Sequence, residues 1–211
     1  MIQIRHRETQ EVLHEVQAET LEGAKLLGKN LTGADLSSQI LRRCVFDSDN
    51  LNYCSFEGSD LEGATFIGAS VQHANFNGAN LTRVDFTDTL LHHSTFVHAN
   101  LTRANLRYAK LADCDLTEAR LVEADASMAD LRAVFTNANL TRTDLRGSEL
   151  SGADLRGAKV DDADFTDAHM QEANVEGVLL ERAKNPCTKH KPFKPKPRSV
   201  AAKRPWWKMW A

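Results

Sequence analysis

The stretch "ANLTRVDFTDTLLHHSTFVHANLTRANL", residues 79–106, places a leucine or phenylalanine at every fifth position. A small residue stands two places before most of these large residues, and polar residues fill most other places. A period of five matches neither the helical period of about 3.6 residues nor the alternation of a strand. It fits a chain that turns a corner every five residues, so that four repeats close a square coil of twenty residues.

The repeat continues on both sides of this stretch, from about residue 21 to residue 180. The large residues keep one register from Leu26 to Leu131, step by four to Phe135, and then continue to Leu180. Coils of this kind stack at the strand spacing of about 4.8 Å and share backbone hydrogen bonds, so residues twenty apart become neighbours. The pattern therefore predicts a core of two stacked columns of rings, made of Phe46, Phe66 and Phe86 and of Phe56, Phe76 and Phe96.

The recurring triplets "ADL", "ANL" and "ANF" resemble the signature of the pentapeptide-repeat family, in which a small residue and Asp or Asn precede Leu or Phe. The resemblance covers residues 21 to 180. It implies an all-β fold, a right-handed quadrilateral parallel β-helix, which is the square coil that the period also predicts. About eight coils of twenty residues fit this length.

Three segments are expected from the pattern. Residues 1–20 do not repeat, and "IQIRHR" and "VLHEVQA" around a polar "ETQE" predict a β-hairpin that caps the first coil. Residues 21–183 form the β-helix. Residues 184–211 form a basic tail rich in proline and tryptophan, which cannot extend the coil and favours an extended linker.

The sequence shows no arrangement typical of an enzyme or a cofactor site, and we expect no catalysis, cofactor or metal. Cys44, Cys54 and Cys114 occupy the small inward position and are interpreted as buried apolar residues. His73 and His93 lie one coil apart on the surface, but a transition-metal site usually needs three or four ligands. Nothing at the amino end resembles a signal peptide, so a cytoplasmic location is expected.

The surface charge is uneven. From Lys184 onward there are nine of the 26 lysines and arginines and no acid, so residues 1–183 carry 17 basic against 29 acidic residues, a net charge of −12. One face, built on the large positions 26, 46, 66, 86, 106, 126, 145 and 165 and called here the acidic face, carries Asp47, Asp85, Asp88, Asp125, Asp144, Asp164 and Asp167. Another face, called the arginine face, stacks a basic column of Arg43, Arg83, Arg103 and Arg142. Near the amino end, Lys29 and Asp49 occupy inward positions one coil apart, which predicts a contact between them.

Three functions remain open. The first is a non-catalytic rod that presents flat faces to a protein partner or, in a homodimer, to a second copy of the chain. The second, carried by the family resemblance, is a DNA mimic that binds DNA gyrase or another type II topoisomerase. The third is an adaptor tethered by its tail to a membrane or to nucleic acid, although direct DNA binding is not expected from an acidic body and the membrane case is weak. The tail residues that would make such contacts, or would dock on a protein surface, are Lys203, Arg204, Trp206, Trp207, Lys208 and Trp210.

Overall fold

The computed structural model of the chain describes residues 1–186. Within them lie three strands, β1 (Ile2–His6), β2 (Val12–Val16) and β3 (Ala34–Asp35), and a short 3-10 helix at Leu180–Arg182. The strands pair in the order β2–β1–β3, and both pairs are antiparallel. No helix in this part of the chain has the length and apolar character needed to cross a membrane.

The body of the molecule is a coil held together by parallel bridges between successive turns of the chain. The first of these bridges joins Lys25 to Val45, and the same step of twenty residues repeats until Asp115, which pairs with Val134 nineteen residues on. The predicted parallel β-helix is thus confirmed as an architecture, with the short step where the sequence places it. Its right-handed sense and its count of about eight coils stay predictions.

Each corner of the coil is a four-residue turn around an inward-pointing large residue. At Leu101–Ala104, the amide N–H of Ala104 donates to the carbonyl of Leu101 at 3.0 Å, and Arg103 has a φ of +59°. A positive φ at the third residue is the mark of a type II turn, which glycine adopts without strain. Gly63 takes this position in one coil, but an arginine takes it in the coils of Arg83 and Arg103. The fold therefore tolerates residues other than glycine in the left-handed conformation, and their side chains lie at the corner.

The core contains the two predicted columns of rings. Phe56, Phe76 and Phe96 stack face to face at 4.8 and 4.9 Å between ring centroids, with interplanar angles of 3° and 4°. The second column meets the first edge to face, as at Phe66 and Phe76, whose centroids are 6.1 Å apart. All six rings of the two columns are fully buried. Stacked and edge-on rings at these distances attract each other beyond the burial of their area.

The short step in the sequence is a tighter corner in the structure. The amide N–H of Ala133 donates to the carbonyl of Leu131 at 2.7 Å, so this corner closes over one residue, Arg132, instead of two. Leu131 and Phe135 are both fully buried on either side of it. One residue is lost from the turn while both large side chains remain inside.

Both ends of the coil are covered. Ile4 of β1 is 2% exposed, and the amide of Arg7 donates to the carbonyl of Gly33 at 2.8 Å, so the hairpin pairs with the edge of the first coil. At the other end, the residues around the 3-10 helix pack against the core. Lys184 pairs with Asp164 in the last bridge of the described residues.

The expected contact between Lys29 and Asp49 is wrong. Lys29 is exposed and forms no ion pair with residues 1–186, whereas Asp49 is 5% exposed and accepts a hydrogen bond from the amide of Gly28 at 2.6 Å. Burial raises the pKa of this carboxyl. The turn at Gly28 satisfies one carboxylate oxygen locally, which leaves the lysine free to reach solvent.

Candidate interaction surface

The interior of the described coil is filled by buried apolar side chains, and most charged side chains lie on its surface. Within residues 1–186 no group of three His, Cys, Asp or Glu side chains is placed to hold a metal ion. A shallow polar groove of about 240 Å³ lies on the arginine face. Its lining consists of Glu22, Arg42, Arg43, Glu62, Gly63 and Arg83.

The arginine column is a ladder of ion pairs and not a free cationic surface. Arg83 contacts Glu62 at 3.1 Å, and Arg103 contacts Glu123 at 2.8 Å. Arg142 reaches Glu123 at 3.5 Å from the next coil. The hydrogen bond from Arg103 lowers the pKa of the Glu123 carboxyl, with a smaller contribution from Arg142. Each exposed pair contributes little to stability, but together they neutralise the column.

Five acids of the arginine face lie in ion pairs with arginines. The acids of the arginine face that lie in ion pairs are Asp60, Glu62, Glu123, Asp161 and Asp162, at distances between 2.6 and 3.8 Å. In the basic column itself, Arg43 forms no ion pair with residues 1–186 and lines the groove. The face as a whole therefore presents balanced charge.

The aspartates of the acidic face that precede a large residue bond to their own turn. The carboxylate of Asp85 accepts hydrogen bonds from the amide and the hydroxyl of Thr87 at 2.9 and 2.6 Å. Asp125 accepts the same two bonds from Ser127, at 3.0 and 2.6 Å. These are Asx turns, which satisfy an amide at the corner, so these acids have a structural role as well as a charge.

Two aspartates of this face have a basic neighbour. Asp144 is bound by Arg146, with 2.6 Å between Nη2 and Oδ2, and this hydrogen bond lowers the pKa of the carboxyl. Arg107 lies 4.0 Å from Asp125. The other five form no ion pair with any basic side chain of residues 1–186: Asp47, Asp85, Asp88, Asp164 and Asp167. The acidic face thus keeps a negative charge that its own residues do not neutralise.

The turn column of this face carries two exposed apolar side chains that the sequence analysis missed. Tyr108 is 41% exposed and Met128 is 53% exposed, and both occupy the left-handed turn position, as do Asp88 and Asp167. Along that column the order is Asp88, Tyr108, Met128, Gly147, Asp167. The guanidinium of Arg107 lies 5.6 Å from the centroid of the Tyr108 ring. Tyrosine, methionine and arginine are enriched in protein interfaces.

The two histidines form a stacked column, as the coil register predicts. The ring of His73 lies 4.9 Å from that of His93 and 5.0 Å from that of Tyr53, in nearly parallel planes. Nitrogen lone pairs lie in the ring planes, so those of stacked rings do not converge on one ion. His93 faces Asp113 at 3.8 Å. The column is a surface feature.

Comparison with known families identifies the repeat. A family model described as pentapeptide repeats matches residues 30–66, 99–134, 131–157 and 148–184, more than half of the chain, and a second model of pentapeptide repeats matches residues 51–95. The chain belongs to the pentapeptide-repeat family. The resemblance seen in the triplets is confirmed.

Solved structures similar to this chain are also pentapeptide-repeat proteins. HetL, involved in heterocyst differentiation regulation in the cyanobacterium Nostoc, is 27% identical, with 77% of this chain and 85% of HetL covered and a TM-score of 0.43. A trypsin-treated variant of QnrB1, a plasmid-mediated fluoroquinolone resistance protein, is 18% identical, with 71% and 73% covered and a TM-score of 0.53. The latter likeness concerns the fold alone. Curated protein sequences give no significant match.

Within the pentapeptide-repeat coil, the two predicted sets of charged surface residues have different surroundings. The acidic-face aspartates and the basic column lie in rows as expected, but the second set is largely neutralised by acids of neighbouring coils. The predicted tail contacts, residues 203–210, lie outside the described residues. The sequence does contain a signal for Tyr108 and Met128. Each is a large apolar residue at a turn position that polar residues or glycine hold in the other coils of the same column.

Proposed function

We propose that this pentapeptide-repeat protein is a non-catalytic interaction module whose acidic face binds a basic surface of another protein. The observation that carries the proposal is the contrast between two faces of one coil. Five aspartates of the acidic face lack a basic partner within residues 1–186, whereas five acids of the arginine face are paired with arginines. Unpaired charge of one sign attracts and orients an oppositely charged partner.

A rigid coil suits such a role. The rows are fixed at about 4.8 Å by the backbone bonds between coils, so a partner meets charges at set positions. Little conformational entropy is then lost when it binds. We also infer that the coil is right-handed, that it has about eight turns over roughly 38 Å, and that residues 1–20 serve as its cap.

A DNA mimic directed at a type II topoisomerase is the second candidate. Residues 1–183 carry a net charge of −12, which is about one charge per 3 Å over a rod of roughly 38 Å, against one per ~1.7 Å in duplex DNA. The unpaired aspartates favour this candidate. It ranks second because Asp85 and Asp164 use their carboxylates to bond their own turns and Asp47 accepts from the amide of Ile67, so that Asp88 and Asp167 are left to imitate phosphates.

A gyrase supercoiling assay separates the two candidates. It compares the purified chain with a variant in which the five unpaired aspartates are replaced by asparagine, with and without a fluoroquinolone. The interaction module predicts no effect of either protein on supercoiling at micromolar concentration. Inhibition or drug protection by the native chain that the asparagine variant loses would overturn the first candidate and establish the second.

A further inference from the structure

The chain leaves the described coil on the acidic face. Lys184 donates its amide to the carbonyl of Ala163 at 2.7 Å and pairs with Asp164, and Asn185 donates to the hydroxyl of Thr166 at 2.7 Å. The remaining residues, 187–211, hold eight lysines and arginines and no acid. The most basic segment of the chain therefore starts at one end of the acidic face.

We propose that the tail folds back along the acidic face of its own coil, with its tryptophans on Tyr108 and Met128. These two exposed side chains lie between Asp88 and Asp167 in the turn column. The tail segment 203–210, "KRPWWKMW", has the complementary order, with Trp206 and Trp207 between Arg204 and Lys208. An apolar contact flanked by opposite charges on both sides fits this strip.

The distances allow this contact. From the level of Asn185 to that of Tyr108 there are four coils, or about 19 Å at the spacing of stacked strands. Twenty residues separate Pro186 from Trp206. Such a length spans about 25 Å as a flexible coil and about 62 Å as an extended polyproline helix. A linker close in length to its span gives a high effective concentration of the tethered group.

The carboxyl end of the coil is a second place where the tryptophans could cover apolar surface. Residues of the coil itself already occupy this end. Val178, Leu180 and Ala183 pack there against the core. On the arginine face, acids that could attract a basic tail, such as Glu62 and Glu123, are already paired with arginines. If the acidic face is also the partner surface proposed above, a basic partner has to displace the tail, so that removal of residues 187–211 raises its affinity.

Tryptophan fluorescence tests the proposal directly, since all three tryptophans of the chain lie in the tail. The full chain is compared with a synthetic peptide of residues 187–211. We expect a blue-shifted emission maximum and quenching by acrylamide that is roughly twofold weaker than in the peptide, because contact covers about one side of each ring. Both values should be independent of protein concentration, as required for a contact within one chain.

Two double variants remove the docking strip without removing the coil. Tyr108→Asn with Met128→Asn removes the apolar contact, and Asp88→Asn with Asp167→Asn removes the flanking charge. Asparagine tolerates the left-handed conformation of these positions. Each pair should return emission and quenching to the values of the peptide. The matched control is Tyr53→Asn, which has the same residue type and turn position on another face and is 51% exposed; it should leave both values unchanged.

Several outcomes would overturn the proposal. Emission equal to that of the peptide in the native chain means that the tail is not docked. A blue shift that depends on concentration, together with a dimeric mass, means docking on a second copy. A shift that appears only with phosphatidylserine vesicles or with a DNA duplex identifies a tether. This experiment contains no partner protein. A negative result therefore refutes the docking of the tail alone, and the proposed partner surface is tested separately.

Discussion

At the scale of single residues, the small inward position is also a hydrogen-bonding position. The thiol of Cys54 donates to the carbonyl of Leu31 at 2.9 Å, and the hydroxyl of Ser94 donates to that of Val71 at 2.8 Å. Both bonds reach a residue 23 positions earlier, in the coil below. The interpretation of the cysteines as small buried residues is confirmed, but they also tie adjacent coils together.

The buried thiols should be unreactive and should make stability depend on pH. Burial raises the pKa of Cys54 and of Cys114 to about 12 and that of Cys44 to about 11. An unfolded thiol ionises near pH 8.5, so above that pH the unfolded chain loses protons that the folded chain keeps. Stability should therefore fall with rising pH, by about 1.4 kcal/mol per unit for each thiol between roughly pH 9 and pH 11.

Urea unfolding between pH 7 and pH 10.5 measures this effect, with iodoacetamide labelling of the native chain at pH 8 as a second readout. The control is Cys54→Ser, because serine holds the equivalent position at Ser94 and keeps the hydrogen bond. It should lose one thiol's share of the pH dependence. Rapid labelling of Cys54 in the native chain would contradict the burial described here.

Phe76 should be among the most costly core residues to truncate. Its ring stacks between those of Phe56 and Phe96 and meets Phe66 and Phe86 edge to face. Phe76→Ala opens a cavity that the surrounding coils cannot fill, at a cost of about 3–5 kcal/mol of unfolding free energy. The control is Ile67→Ala, an exposed site, where a change within about 0.5 kcal/mol is expected. A loss below about 1 kcal/mol at Phe76 in urea unfolding would argue against the stacked column.

At the scale of elements, the corner is the unit on which the fold depends. An ordinary corner has two residues between the two that are joined by its hydrogen bond, whereas the corner at Arg132 has one. Both types bring the next large residue inside. A corner can thus change its length by one residue where the turn allows it, whereas a shift within the repeat would turn each following large side chain outward.

A one-residue insertion should therefore be tolerated at the short corner and nowhere else in mid-rod. Glycine inserted after Arg132 restores an ordinary two-residue corner and supplies a left-handed turn residue. The same insertion after Arg83 lengthens a corner that is already complete. Thermal unfolding should show little change for the first variant and a large loss for the second. Equal losses at both sites would contradict the register.

Some features of the structure follow from the sequence pattern, and others do not. The period of five is imposed by the inward side chains, so Phe46 to Phe96, the short step and the rows of charge could be read from it. The pairing of Arg103 with Glu123 could not, because it depends on side-chain conformations across two coils. Nor could the pairing of β1 with β3, since an edge strand accepts any compatible partner.

At the scale of the whole molecule, the coil sorts its charge by face. The stacking that fills the interior with like residues also aligns the surface into columns, and neighbouring coils decide which charges meet. The arginine face is neutralised by such contacts, whereas the acidic face keeps five aspartates without a basic partner in residues 1–186. We propose that the acidic face is the one that recognises a partner.

Two matched variants test that claim. The first replaces the five unpaired aspartates of the acidic face by asparagine. The second replaces the five paired acids of the arginine face, Asp60, Glu62, Glu123, Asp161 and Asp162, by asparagine or glutamine. Both change the net charge by the same amount, and asparagine keeps the turn bonds, as Asn80 does for the amide of Thr82. Circular dichroism and thermal unfolding verify that both remain folded.

The decisive measurement is quantitative affinity capture from an extract of the source cell with the native chain and both variants as baits, followed by calorimetry with the purified captured protein. We predict a directly binding partner whose affinity falls about tenfold or more with the acidic-face variant, because charges that meet across an interface each contribute on the order of 1 kcal/mol or more. The arginine-face variant should bind as the native chain does. A partner that binds the acidic-face variant as tightly as the native chain, or that loses affinity only with the arginine-face variant, would contradict the account.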